Sequence, residues 1–270
     1  MVPDRLLKLS ALFLTLHCYF ILGDILPDGA VPLPPRVIHV HTLTLLVFSL
    51  LHALYLLGLA RTSALFALGA VISWAFEHVG VATGFVYGPY FYTDQLGLKL
   101  GHVPLLIPLA WFMMLYPSYV ITSLFTEGRP VAAGGSLLRL IWFSLLSAMV
   151  MTGWDLPMDP NMVARGNWVW TQGGAFFGVP LRNFAGWLAT TFCVYLAYLL
   201  VEQRLKPAPE RPARAAVAAM PVVAYGAFVF LYVFTAEPAA LRVIAVFSMG
   251  LPVLFALGRL RASQSDRAIG

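Results

Sequence analysis

"LIWFSLLSAMVMTGWDLPMDPNM", residues 140–162, decides how this chain is read. Its first half is an apolar run of the kind that crosses a bilayer. Its second half adds two acids, Asp155 and Asp159, four positions apart beside Trp154. An ionisable group joined to such a run is costly, and so by default marks a functional position. The rest of the chain has the same character. Its 270 residues are 60% hydrophobic and 11% charged, with a mean hydropathy of +0.82, whereas soluble domains carry about 25% charged residues. Apolar runs near the roughly 20 residues needed to cross a hydrocarbon core recur throughout. The expected fold is all-α, a polytopic membrane helical bundle of about eight transmembrane helices. They are centred in residues 6–23, 37–59, 63–80, 104–125, 137–153, 184–201, 215–235 and 239–257.

Residues 1–270 read as a single integral-membrane domain. Catalytic helices and loops are expected in 1–201, a proline-rich charged linker in 202–214 ("EQRLKPAPERPAR"), and a C-terminal helix pair serving as scaffold in 215–257. No A-x-A-like cleavage site follows the first run, so it is read as a retained helix. An even number of spans puts both termini on one side. That side would carry Arg5, Lys8, Arg61, Arg129, Arg139, Arg204, Lys206, Arg211, Arg214, Arg259, Arg261 and Arg267, twelve of the seventeen basic residues. Arg36, Lys99, Arg165, Arg182 and Arg242 are left opposite. The positive-inside rule then makes both termini cytoplasmic, in the cell membrane. The net charge of +5 reports topology and implies no nucleic-acid partner. Cys18 and Cys193 lie in apolar runs without CxxC spacing and read as packed small hydrophobes.

Polar and aromatic residues collect in two regions. The first is "WAFEHVGVATGFVYGPYFYTDQLGLKLGHVPLLIPLAWFMMLYPSY" (74–119), the second "TGWDLPMDPNMVARGNWVWTQGGAFFGVPLRNFAGW" (152–187). Between them they hold Trp74, Trp111, Trp154, Trp168 and Trp170, with Trp187 closing the second and only Trp142 outside. Both loops fall on the non-cytoplasmic face, where two polar, glycine-rich segments can form one site. Glu77, inside the third span, is a candidate on the cost of burying it. Pro157 would clash with the carbonyl four residues back if the helix continued, so the chain is expected to turn there. The aspartates are then not read as sharing a helical face, and one is expected to be functional and one structural, with Asp155 ahead. Trp74, Tyr87, Tyr90, Trp111, Trp154, Arg165, Trp168, Trp170 and Asn183 are the expected substrate-site residues. For the aromatics, Tyr92 included, a membrane-interface belt is the competing reading. Arg165 and Arg182 fit lipid anchoring, carboxylate pairing or substrate contact equally. His39, His41 and His52 lack the clustered HxxxH and HxxHH sets of a di-iron site and read as packed or pore-lining.

These two stretches resemble the integral-membrane carotenoid-biosynthesis family that includes the γ-carotene 1′-hydratases (CruF-type) and the archaeal bisanhydrobacterioruberin hydratases. The matching segments cover about a third of the chain. The resemblance implies addition of water across the C1–C2 double bond of a linear ψ-end group of a carotenoid, giving a tertiary alcohol, with no cofactor and no metal. The residues suit that chemistry independently. Protonating the alkene leaves a tertiary cation, so a proton donor, a shelter for the cation and one admitted water are required. A carboxylic acid in a low-dielectric site can keep its proton near neutral pH, and Glu77, Asp155 and Asp159 are the candidates. Aromatic faces attract the cation by roughly 0.5–2 kcal/mol each. A carotenoid is a rod about as long as the hydrocarbon core is thick, roughly 30 Å, so its end reaches the level where these acids sit. Partners would be the carotenoid, water and other membrane enzymes of the pathway. The main alternative is a Mg²⁺-dependent membrane prenyltransferase, which needs two Asp-rich motifs where this chain has one loose pair. An oxygen-dependent hydroxylase and a non-enzymatic carotenoid-binding protein are the others.

Overall fold

The computed structural model describes residues 2–27, 30–33, 37–209 and 214–269. Arg36 and Arg211 of the charge sum, and residues 210–213 of the linker, lie outside the described residues. Eight helical spans, long and apolar enough to cross a membrane, run through the rest. They are α1 (Val2–Ile25), α2 (Val37–Leu56), α3 (Leu59–Thr83), α4 (Leu106–Glu127), α5 (Leu137–Ala164), α6 (Leu181–Glu202) and α7 (Ala215–Thr235), then a composite eighth. In this last span α8 (Ala240–Ala245), a π-helical turn (Val246–Gly250) and α9 (Leu251–Ile269) follow one another directly. The chain is an integral membrane protein. Exposed Leu12, Leu22, Val71, Phe230, Phe247 and Phe255 form the apolar exterior that a bilayer requires.

Helix α4 is the centre. Its residues Trp111 to Leu124 are buried without interruption, and it packs against α2, α3, α5, α7 and α9. Around it α1 lies on α2 and α7, while α6 lies on α3 and α5.

The turn expected at Pro157 does not occur. Helix α5 continues through Pro157 and Pro160 to Ala164. A proline inside a helix removes one donor and frees the carbonyl four residues earlier, here that of Gly153. That carbonyl accepts a hydrogen bond from Ser248 Oγ at 2.8 Å, across from the π-helical turn. Gly153 is what lets the two backbones meet, because a Cβ there would lie 2.6 Å from the Ser248 carbonyl oxygen. Two other spans use the same device. Pro117 frees Met113 O, which accepts from Ser49 Oγ at 3.0 Å. Pro221 frees Val217 O, which accepts from His52 Nε2 at 3.0 Å. Side chains of neighbouring helices thus re-satisfy the backbone where hydrocarbon offers no water.

Two loops close one end of the bundle. Strand β1 (Tyr90–Tyr92), from the α3–α4 connection, pairs antiparallel with β4 (Trp168–Trp170), from the α5–α6 connection. Tyr90 lies opposite Trp170 and Tyr92 opposite Trp168. Side chains alternate across a strand, so these four rings point inward and are buried, while Phe91 and Val169 face out. A second hairpin, β2 (Lys99–Leu100) with β3 (Val103–Pro104), sits beside it.

Candidate active site

Beneath the β1–β4 ribbon lies a cavity of about 120 Å³. Its walls come from the C-terminal ends of α1, α3, α5 and α7 and the N-terminal ends of α2, α4 and α6. All of these sit at the same end of the bundle. Glu77 and Asp159 both face this cavity.

Glu77, 3% exposed near the end of α3, is held by three donors. The Tyr90 and Tyr92 hydroxyls both donate to Oε2, Tyr92 at 2.8 Å, and the Trp111 indole N–H donates to Oε1 at 3.3 Å. Indole nitrogen can only donate, so this carboxylate is held as an acceptor. No cation forms an ion pair with it among the described residues. Burial, then the charge of Glu77, pushes the Tyr90 and Tyr92 hydroxyls well above their ordinary value near 10, so both keep the protons they donate.

The continuous α5 puts Asp155 and Asp159 one turn apart on one face, contrary to the expectation of a break. Asn183 Nδ2 on α6 donates to both, at 3.0 Å to Asp155 and 2.5 Å to Asp159. The Trp168 indole N–H donates to the other oxygen of Asp159 at 2.5 Å. Asp155 Oδ1 is buried with no hydrogen-bond partner among the described residues. Asn183 thus bridges the two carboxyl groups and leaves one oxygen of Asp155 without a donor among the described residues. The cavity wall contains Asp159, whereas Asp155 is fully buried behind it. The sequence reading put Asp155 ahead; in the structure Asp159 is the one of the two that lines the cavity.

Aromatic rings complete the walls. Trp111 and Trp187 stack at 4.3 Å, and Trp154 meets Trp187 edge-on at 6.0 Å. Tyr90 and Trp170 lie 4.6 Å apart in the roof. Tyr87 lines the cavity and is fixed by a hydrogen bond between its hydroxyl and Thr190 Oγ1 at 2.8 Å. Its ring fits only because Gly186 has no side chain, since a Cβ there would lie 2.6 Å from the ring. Arg165, at the end of α5, faces the cavity. Arg182 instead lies over the exposed Phe85 ring at 5.0 Å.

The structure thus gathers Glu77, Asp159, Tyr87, Tyr90, Trp111, Trp154, Arg165, Trp168, Trp170 and Asn183 around one space. Trp74 is not among them. Its N–H donates to Leu100 O at 3.2 Å and its ring stacks on His78, which pins the β2–β3 hairpin from outside. Cavity residues outside the expected set include Tyr92, Trp187, Phe228 and Tyr232, with Asp24 and His41. Two had a local signal. Tyr92 follows Tyr90 at strand spacing, and Trp187 lies four residues after Asn183, on the same helical face. Phe228 and Tyr232 bring α7 into the cavity wall.

This geometry has a counterpart in sequence comparison. Residues 37–255 match the family of carotenoid biosynthesis proteins. The chain belongs to that family. It is similar to the bisanhydrobacterioruberin hydratase of Haloarcula japonica, 37% identical over 117 residues, which is 43% of this chain and 37% of the relative. The similarity therefore spans little more than a third of that relative's length. No solved structure gives a significant match.

Proposed function

We propose that this carotenoid biosynthesis protein is a carotenoid hydratase, adding water across the C1–C2 double bond of a linear ψ-end group to give a tertiary alcohol. The observation that carries the reading is the pairing of two unlike acid sites around one aromatic cavity. The Asp155–Asp159 pair can hold a proton beside the cavity. Glu77 is an acceptor with no counter-cation, facing the same space. The proton rests on Asp155, whose Oδ1 no N–H donor engages among the described residues, and reaches C2 by way of Asp159, the member of the pair that lines the cavity. The positive charge that develops at C1 meets Glu77 and the faces of Trp111, Trp187 and Trp154, preorganised before the reaction. Water then attacks C1 and loses a proton, so the sum is one water gained. The hydratase relative supports carotenoid hydration in general, and the cavity's place at the span ends suits a rod-shaped substrate about as long as the bilayer core is thick, roughly 30 Å. The charge asymmetry supports cytoplasmic termini, which puts the site at the outer leaflet of the cell membrane.

A prenyltransferase would direct its carboxylate oxygens at Mg²⁺. Here both oxygens of Asp159 are engaged by N–H donors, which favours hydration. Expression in a lycopene-producing bacterium grown in ¹⁸O-labelled water tests the reading. The expected result is a carotenoid heavier by one or two waters carrying the label. Unlabelled alcohol, or product formed only with prenyl diphosphate and Mg²⁺, overturns it.

A further inference from the structure

Among the polar residues of the cavity wall are two that the mechanism above does not use. They are Asp24, at the end of α1, and His41, near the start of α2. Their side chains are 14% and 10% exposed, and His41 Nε2 lies 3.0 Å from Asp24 Oδ2. Nε2 is thus the ring nitrogen turned to Asp24, and Nδ1 is the one left to accept a proton in the tautomer with hydrogen on Nε2. Nδ1 is buried and has no hydrogen-bond partner among the described residues. His52 shows what a structural histidine looks like in this bundle. Its Nε2 donates to Val217 O, and its Nδ1 accepts from the Tyr116 hydroxyl at 2.6 Å. Both nitrogens of His52 are engaged; His17 Nδ1 and His39 Nδ1 are, like His41 Nδ1, bare among the described residues, so what sets His41 apart is its place in the cavity wall beside Asp24. His17, the nearest titratable ring at 6.1 Å, meets His41 edge-on and uses its own Nε2 on Ala224 O at 3.3 Å.

We infer that His41, oriented by Asp24, is the general base that accepts the proton of the attacking water. The inference rests on the hydratase reading and adds the partner it lacks. The atoms balance. Asp159 passes the proton of the aspartate pair to C2, the water oxygen bonds to C1, and the proton that water releases goes to His41 Nδ1. Transfer of that proton back to the pair through the water-accessible cavity restores both groups, with one water consumed. Asp24 is a positioning residue that fixes the tautomer and stabilises the imidazolium.

Membranes containing the full chain, supplied with lycopene and γ-carotene, provide the test. His41→Ala is expected to lower kcat per folded molecule by about 10²-fold or more, the usual weight of a general base, and, because it strands Asp24, to lower the melting temperature as well. Added imidazole should restore about tenfold of the loss, and Asp24→Asn should fall between wild type and His41→Ala. Where His41→Ala fails to accumulate, His41→Gln keeps the donor to Asp24 and lacks the basic nitrogen, and should show the same loss. Wild-type rates in either variant overturn the inference alone, as does a loss that imidazole does not recover in well-folded protein. A wild-type chain that hydrates neither carotenoid overturns the hydratase reading and the base with it.

Discussion

Two glutamates sit near opposite ends of the bundle, both buried, both receiving tyrosine hydroxyls, and they differ in one respect. Glu202, at the end of α6, accepts from Tyr198 at 2.9 Å, Tyr119 at 3.4 Å and the Arg61 guanidinium at 2.8 Å. Glu77 accepts from Tyr90, Tyr92 and Trp111 and has no guanidinium. Glu202 has its counter-charge and lines no part of the main cavity, whereas Glu77 faces open space. A buried anion with a permanent partner fastens helices together. One provided with neutral donors alone leaves its field for a charge that arises during the reaction. The same residue type therefore serves architecture at one end and chemistry at the other, and the difference lies in the partners.

Substitution of each glutamate should separate the two roles. Glu77→Gln is expected to lower hydration per folded molecule by about 10²–10³-fold, the weight of a preorganised electrostatic contact, with little change in thermal stability. Equal rates in Glu77→Gln and wild type would erase the contrast. Glu202→Gln strands Arg61 in a site where it is only 13% exposed, and breaking a buried pair costs about 3 kcal/mol or more. A lowered melting temperature in detergent with an unchanged rate per folded molecule is the expected outcome. Tyr90→Phe removes one of three donors to Glu77 and should reduce the rate by about tenfold, since a hydrogen bond to a charged group contributes roughly 1.5–3 kcal/mol.

The tyrosines sharpen the comparison further through pH. In the folded protein the Tyr90 and Tyr92 hydroxyls are held above their ordinary value near 10, by burial first and by Glu77 second. A raised folded-state pKa gives stability that is complete below the unfolded value and lost as pH climbs towards the folded one. Melting temperature scanned upward through pH 10 should therefore fall, and the Tyr90→Phe, Tyr92→Phe double variant should fall less. The smallest effect is expected from Ser248→Ala, which bares the Gly153 carbonyl and should cost about 1 kcal/mol. Its readout is a lower melting temperature with a modest rise in KM as the aspartates above the kink lose their support.

The spans were legible because hydrocarbon imposes one requirement on every residue that faces it, and runs of Leu, Phe and Val satisfy it locally. The acids were legible for the complementary reason, that each departs from that rule. The sequence misleads at Pro157, where a local steric rule implies a turn. Whether a freed carbonyl ends a helix depends on what reaches it, and Ser248 comes from a distant part of the chain. Which of the two aspartates lines the cavity was hidden with it, because only an unbroken α5 puts Asp159 at the cavity and Asp155 behind. The place of Trp74 outside the cavity was not legible for a related reason: its hydrogen-bond acceptor, Leu100 O, lies in a hairpin with no strong signature of its own. The pairing of β1 with β4 could be anticipated only in part. Tyr90 and Tyr92 alternate with Phe91 as Trp168 and Trp170 do with Val169, yet each strand is three residues long.

The three proline notches have a consequence for assembly. Lipid tails are as apolar as leucine, so greasy helices have little reason to choose one neighbour over another. Each notch accepts a specific key: Ser49 of α2 fits α4, His52 of α2 fits α7, and Ser248 of the eighth span fits α5. A helix docked one turn out of register would leave a naked carbonyl in oil, at about 1–3 kcal/mol apiece. The prolines act as proofreaders of register among α2, α4, α5, α7 and the eighth span.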